Sequence, residues 1–307
     1  MSGFSADWLS LREPFDHAAR EAARAALGLS GGLARWRERS ADKALAVIDL
    51  GCGHGANVRA LAPCLGGEQH WRLLDHDAAL LAAVPQAMAA WARGHGFRCH
   101  DDANTGDAAA IDITGPNFHA TIVRQRVDLA QGLASLDFGQ AHLVTACALL
   151  DLVSAPWLQR LVHQAQAAHA ALWFGLNVDG RTTWDPVDRD DARVHQLFSQ
   201  HQGRDKGFGP ALGPQAAATV LQQLASAGYA TLQTQTDWVI AGAQVDAHAD
   251  ADAPAMQLAM VEGMAAAAIE QDPAARATVL AWKTRRSAGI ASSRLRVGHV
   301  DIVATPA

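Results

Sequence analysis

The sequence predicts an α/β fold: a doubly wound, largely parallel sheet with helices on both faces. Three observations carry this. Short apolar runs recur along the chain and end at glycine, aspartate or polar turns, the pattern of strands buried on both faces. Helix-patterned stretches separate them, as in successive strand–helix–strand units. The first run, 44–50 (ALAVIDL), stops at a glycine cluster that opens a helix.

The elements follow in order. Phe4, Trp8 and Leu11 recur at i, i+4 and i+7 and predict a first helix. Pro14 suits the first turn of a second helix running to about Leu27, which Gly28, Gly31 and Gly32 then break. After the strand at 44–50, a helix is expected from about Asn57 to Leu65. A strand over 71–74 ends in Asp75-His76-Asp77, and Asp77 is the natural N-cap of an alanine-rich helix reaching about Arg93. Residues 94–119 are polar and hold Gly94, Gly96, Gly106 and Gly115-Pro116; they are too long for a routine connection and predict an insertion or surface excursion. Strand character returns at 120–126, 142–146 and 171–178, with Trp157, Leu158, Leu161 and Val162 on a helix between the last two. Beyond 185 the rhythm changes. A helix over 188–202, a glycine- and proline-rich loop over 203–214 and a helix from Pro214 precede strands at 229–239 and 295–304, which mainly helical sequence separates. These boundaries favour one core domain, 41–307, with insertions at about 94–119, 185–215 and 240–290, behind a helical cap at 1–40.

Composition narrows the function. The chain has 307 residues, half of them hydrophobic and 18% charged, with 25 basic against 31 acidic side chains and a net charge of −6. That excludes a disordered chain, and no nucleic-acid partner is expected without a broad basic face. The four cysteines, Cys52, Cys64, Cys99 and Cys147, show no CxxC spacing, so neither a zinc ribbon nor a disulfide framework is implied. Free thiols point to a reducing cytoplasm. The first 20 residues lack a secretory pattern, and no apolar run is long enough to expect a membrane partner. The 14 histidines show neither HxH nor HExxH, so no metal is expected. The oligomeric state is left open.

Asp49-Leu50-Gly51-Cys52-Gly53-His54-Gly55 stands where a strand ends and a helix begins. Alternate glycines let backbone amides approach a ligand without side-chain obstruction. The spacing is GxGxG, whereas a dinucleotide fingerprint is GxGxxG, and a carboxylate opens the loop. The stretch resembles motif I of the class I S-adenosylmethionine-dependent methyltransferases, E/D-x-G-x-G-x-G. Further landmarks follow in the family's order. Asp75, with His76 beside it, matches the acidic residue that holds the ribose. Asp128 matches the one facing the adenine amine, with Leu129 packing the adenine. Thr145-Ala146-Cys147-Ala148 match the residues lining the methyl donor, and the two late strands match the hairpin that ends the fold. The resemblance covers about residues 40–305. It implies a Rossmann-like seven-stranded sheet with helical cap insertions, and S-adenosyl-L-methionine bound by Asp49, Gly51, Gly53, Gly55, Asn57, Asp75, His76, Asp128, Leu129, Ala146 and Cys147. The methyl would pass by in-line displacement to N, O or S of an acceptor, leaving S-adenosyl-L-homocysteine. One departure stands out: the fourth strand of the family commonly begins with an acid, and Gln140-Ala141-His142 occupy that place. The pattern is also similar to a group of bacterial class I methyltransferases without an assigned substrate, through 8–16, 148–154, 201–214 and 297–301.

Ligands of open α/β sheets bind beyond the carboxyl ends of the strands, and the acceptor residues are sought there. Asp151 is a charge in an apolar run just past the fourth strand, either an acceptor contact and base or a helix-dipole charge. Asn177 and Asp179 end the fifth strand, where turns favour the same residues. His201 falls on the apolar stripe of its helix, followed by Lys206 and Phe208 among glycines. These three would supply a polar anchor, a cation and a wall, or else a core histidine with an Asp205–Lys206 surface pair. Arg12 could meet a carboxylate or mark a solvated helix junction. Six cations between 273 and 300 (Arg276, Lys283, Arg285, Arg286, Arg294, Arg296) read mainly as a solvated face, and Asp188, Asp190 and Asp191 as helix-start acids. The expected activity is methyl transfer to a small polar molecule, with His201 or Asp151 as base where one is needed. A peptide or protein acceptor, a cofactor-binding regulator without turnover and, disfavoured by GxGxG, a nicotinamide oxidoreductase are the other readings.

Overall fold

The run Leu45–Leu50 becomes a central strand, β1, whose apolar side chains are buried on both faces. That requires neighbours on each edge and helices above and below. In the computed structural model, which describes residues 5–26, 44–101, 110–246 and 250–306, β1 pairs in parallel with β2 (Gly67–Asp75) on one side and with β6 (Leu143–Cys147) on the other. β2 pairs in parallel with β5 (Phe118–Arg126), and β6 with β7 (Ala171–Asp185). The last strand, β10 (Arg294–Pro306), lies antiparallel between β7 and β8 (Tyr229–Gln235). The parallel strands run outward from β1 through β2 to β5 and then restart on the other side with β6 and β7. The β1–β6 boundary is therefore the switch point at which such sheets form a crevice.

The fold class is the α/β Rossmann-like sheet the sequence predicts, but among the described residues it has ten strands rather than seven, in the order β3-β4-β5-β2-β1-β6-β7-β10-β8 with β9 also on β10. Two differences account for the count. Residues 94–119, expected as a surface excursion, contain β3 (Arg98–Asp101) and β4 (Ile111–Thr114), an antiparallel extension of the sheet edge. Ile111 and Ile113 alternate with polar residues and are fully buried, a period-two signal too short to stand out against the polar surroundings. The strand expected at 229–239 is divided into β8 and β9 (Trp238–Ala241), both on β10, with a bend at Thr236-Asp237.

Helices α2 (Ala56–Leu65) and α3 (Ala78–His95) cover one face, where Trp71, Val84 and Met88 are buried together. The short α4 (Leu129–Gly132), α5 (Ala155–Ala167) and α7 (Ala216–Ser226) cover the other around Trp157 and Phe174. Asp77 caps α3 as expected, its carboxylate accepting from the Ala79 and Leu80 amides at 2.8 and 3.3 Å. Asp77→Ala should lower the unfolding free energy by about 1 kcal/mol in urea titrations, since a lost N-cap carboxylate leaves two amides without that partner. His142, standing where an acid is common, accepts from the Ala46 amide through Nδ1 at 3.0 Å and so ties β6 to β1.

β7 and β10 are long because both run past the end of the sheet, and a third apolar cluster forms on their extensions. It joins α1 (Ala6–Ala26), α6 (Asp191–Gln202), α8 (Ala253–Gln271) and α9 (Arg276–Ala288). α1 is one helix running through Pro14, not two meeting there; Phe4, Gly28, Gly31, Gly32 and Gly106 lie outside the described residues. The acids before α6 are more than dipole charges. Asp188 and Asp190 bind Arg285, Asp191 pairs with Arg286 and accepts from Trp282 Nε1 at 2.8 Å, and Arg286 lies 4.6 Å above the Trp184 ring. Lys283 pairs with Glu262 and Arg296 with Asp237, so four of the six late cations are neutralised inside the chain.

Candidate active site at the switch point

The glycine loop leaves β1 with Gly51, Gly53 and Gly55 at φ of +64°, +54° and +86°, in the left-handed region that disfavours side chains. A Cβ on Gly55 would meet Met88 Cε at 2.3 Å, so this glycine also lets α2 pack against α3. The Gly51 amide donates to the Leu74 carbonyl at 2.8 Å and the Gly53 amide to Asp75 Oδ2 at 2.8 Å. Asp75 Oδ1 accepts from the Asp77 amide at 3.0 Å and lies 3.3 Å from His76 Nδ1. The carboxylate at the end of β2 thus sets the shape of the loop after β1. Asp128 is exposed at the end of β5 and caps α4, with Leu129 buried beneath.

Behind the loop is a buried polar chain. Asn57, on the first turn of α2, donates from Nδ2 to Asp49 Oδ1 at 2.9 Å and Thr145 Oγ1 at 2.7 Å. Its Oδ1 accepts from Arg20 Nη1 at 2.9 Å, and Arg20 Nε lies 3.3 Å from Asp301 Oδ2. Asp301, 1% exposed, also accepts from the Leu176 amide at 2.7 Å, Thr236 Oγ1 at 3.0 Å and Trp173 Nε1 at 3.4 Å. Within this buried network, Asp49 Oδ2 and Arg20 Nη2 have no hydrogen-bond partner. Burial pushes the Asp49 carboxyl up to about 7, with Asn57 and Arg20 opposing. Burial likewise raises the Cys147 thiol to about 12 even though Arg20 Nη1 lies 3.7 Å from its sulfur. Ala148 and Leu176, at the level where β6 ends, hold φ of +50° and +52°, local strain where two strand ends converge.

α1 closes this space. Leu9 lies 3.1 Å from where a Cβ on Gly53 would stand, and both oxygens of Glu13 bind Arg59, at 2.8 Å (Nε) and 2.7 Å (Nη2). Arg59 also donates to the His54 carbonyl at 3.0 Å. What is left is a cavity of about 50 Å³, lined by Leu9, Arg12, Asp16, Arg20, Asp49 and Cys147 among others.

The acceptor candidates fall into two groups. Arg12 lines the cavity, and Asp151, Lys206 and His201 follow from it as electrostatic neighbours, Arg12 and Lys206 acting on Asp151 and Lys206 on His201. Arg12 Nε pairs with Asp16 Oδ2 at 3.0 Å, and Asp16 Oδ1 accepts from Trp238 Nε1 at 2.9 Å. Asp151 is half-buried; burial raises its carboxyl while Arg12 and Lys206 act against the rise. His201 lies 3.3 Å from exposed Glu270, and burial followed by Lys206 lowers its imidazole. Asn177, Asp179 and Phe208 are engaged elsewhere. Asn177 donates to the Phe174 and Val300 carbonyls, pinning the β7 irregularity. Asp179 is held by Arg181, which reaches on to Asp237. Phe208 packs edge-on against Trp157 at 5.4 Å, a core contact instead of the expected wall. Asp205 turns its carboxylate to the Gly207 and Gly209 amides, not to Lys206.

Sequence reasoning missed Arg20, Glu13, Arg59, Asp301 and His299. Arg20 and Asp301 are charges inside apolar patterns, a signal available in the sequence. His299 is buried on β10 between two breaks of register with β7, its ring 4.7 Å from Trp238 and its Nδ1 without a hydrogen-bond partner. Burial and then Arg12 lower its imidazole to about 4, so the ring is neutral at physiological pH. Among the described residues no group of three or more His, Cys, Asp or Glu could hold a metal, and no helix is long and apolar enough to cross a membrane.

No family model matches the chain, and no curated protein matches it. Among solved structures it is similar to magnesium protoporphyrin IX methyltransferase from Synechocystis PCC 6803 with bound SAH, at 15% identity and a TM-score of 0.40, over 76% of this chain and 83% of that one. It is similar to geranyl diphosphate C-methyltransferase from Streptomyces coelicolor A3(2) at 12% identity and 0.38, over 86% and 71%. A third likeness is to an arsenic(III) S-adenosylmethionine methyltransferase from Chlamydomonas reinhardtii at 13% identity and 0.37, over 86% and 64%.

Proposed function

We propose that the chain is an S-adenosylmethionine-dependent methyltransferase acting on N, O or S of a small polar molecule. One observation carries the reading. A carboxylate oxygen of Asp49 and a guanidinium nitrogen of Arg20, both buried and both without hydrogen-bond partners, stand in one cavity beside the glycine loop. Buried charges of opposite sign left open in this way suit the ammonium and carboxylate of an amino-acid end. A pyrophosphate would meet repulsion from Asp49 instead. Asp75 and Asp128, at the ends of β2 and β5, would hold the ribose and adenine, with Leu129 packing the base.

Bound there, the cofactor supplies a methyl group already activated on a sulfonium. The residues of the chain then have to align an acceptor and exclude water. α1 and the helices carried by β7 and β10 supply the exclusion. Arg12 and Lys206 would orient an anionic group of the acceptor, and Asp151 an amine or hydroxyl. His201 or Asp151 would take a proton where the acceptor brings one, and His299 would accept a hydrogen bond from it. The cap over the mouth favours a small molecule over a peptide.

Calorimetric titration with S-adenosylmethionine, S-adenosylhomocysteine and NADH tests the cofactor. Micromolar binding of the first two without NADH is expected, and Asp75→Ala should weaken it about tenfold by leaving the Gly53 and Asp77 amides unheld. Binding of NADH alone, or no binding of the sulfonium pair, would overturn the reading.

A further inference from the structure

The cavity over the glycine loop measures about 50 Å³. A single ordered water needs roughly 10–15 Å³ on that measure, so the cavity holds a few waters, and the amino-acid end of a ligand reaches Asp49 and Arg20 only once α1 has moved. In its first half, Trp8 and Leu11 pack half-buried against the third apolar cluster, Trp8 meeting Trp238 edge-on at 6.5 Å; Leu9 sits on Gly53, and Glu13 is clamped by Arg59. Glu13 Oε2 also lies 3.8 Å from His54 Nε2, and His54 Nδ1 is 2.9 Å from Arg59 Nη2. In its second half, Asp16 and Arg20 are fixed by Trp238, Asn57 and Asp301. Between the halves stands Pro14, inside the helix. Proline has no N–H to give the carbonyl four residues back, so the helix ladder is interrupted beside the Glu13 clamp.

We infer that residues 6–13 of α1 form a gate over the cofactor cavity, latched by Glu13 on Arg59 and hinged at Pro14. The inference rests on the cavity being the cofactor site, but its opening is observable without any ligand. The second half of the helix stays docked and keeps Arg20 in the cavity wall, while the first half swings off Gly53 to admit the ligand and returns to exclude water. Glu13 is then a gating residue whose removal makes the cavity more accessible, the reverse of what loss of a binding residue would do.

Cys52 and Cys147 line the cavity beneath the gate and serve as reporters. The full chain is treated with iodoacetamide and each cysteine is followed by mass spectrometry, alongside amide exchange of Leu45–Leu50. Glu13→Gln should speed alkylation of Cys52 and Cys147 at least tenfold with exchange in β1 unchanged. Pro14→Ala, which restores the missing ladder donor, should slow it severalfold. Unchanged alkylation in Glu13→Gln, or an increase that tracks β1 exchange and so reports global unfolding, overturns the gate. S-adenosylhomocysteine association by stopped flow separates the two readings. Faster association in Glu13→Gln supports both. Faster alkylation with no binding to either protein leaves the gate and removes the cofactor; binding with unchanged alkylation and association removes the gate alone.

Discussion

Asp49→Asn is expected to reduce S-adenosylmethionine affinity at least a hundredfold while raising the unfolding free energy at pH 8 by roughly 1–3 kcal/mol. The two effects share one cause. Asp49 is 1% exposed, its carboxyl is pushed up to about 7, and its Oδ2 has no partner. A folded-state value raised from the ordinary 3.8 means that the folded chain holds this proton more tightly than the unfolded one. The contribution to stability is therefore favourable at low pH and is lost as pH rises from about 4 through 7. At pH 8 the buried charge is a cost that Asn does not carry, and Asn still offers an oxygen to Asn57 Nδ2. A cationic ligand reverses the balance, because it needs the carboxylate. Wild-type affinity should accordingly fall by about tenfold per pH unit below 7, with proton release on binding, whereas the Asn variant should show no such slope. Calorimetry in two buffers of different ionisation enthalpy, between pH 5.5 and 8, reads both. A flat profile, or wild-type affinity in Asp49→Asn, would remove Asp49 from the binding site.

Asp301→Ala should cost about 3–5 kcal/mol, the scale of stranding a buried charge, here Arg20. It also leaves the Leu176 amide without its acceptor at a residue already held at φ +52°. Asp301→Asn keeps an acceptor for that amide and for Thr236 but gives up the charge, so it should fall between the alanine variant and wild type. Urea unfolding of the three proteins at pH 7.5 decides the matter. A loss under about 1 kcal/mol in the alanine variant would mean that Arg20 finds another partner, and the charge chain from Asp301 through Asn57 to Asp49 would lose its anchor.

Much of the frame was legible because its signals are local. ALAVIDL followed by alternate glycines, and Asp77 before an alanine-rich helix, each state an element and its boundary within a few residues. The cofactor-side candidates also rest on local signals: Asp75 and Cys147 close their strands and Asp128 follows one, and strand ends of a parallel sheet converge at the switch point. What escaped is non-local. The Asp188, Asp190 and Asp191 carboxylates look like dipole charges until α9 brings Arg285 and Arg286 across about a hundred residues. Phe208 and Asn177 resembled pocket residues because aromatics and amides between glycines or at strand ends have two uses, and only packing chooses between them. His299 gave no periodic signal, since β10 slips register on both sides of it and re-aims its side chain.

The Arg20–Asp301 contact joins residues 281 apart, and Trp238 meets Asp16 across 222. On the ribosome, α1 therefore emerges before the strands and finds its seat after them. Strands β1, β2, β5, β6 and β7 can assemble while the place for β10 is still empty, and during that interval nothing downstream neutralises Arg20. At roughly 5–20 residues per second, the delay between the first helix and the last strand lasts on the order of tens of seconds. Throughout it, the apolar side of α1 and the thiols of Cys52 and Cys147 lack their final cover. The residue that anchors Arg20 in the cavity wall is thus also the one that ends this interval, and variants of β10 should betray themselves as poor yield before they register as altered chemistry.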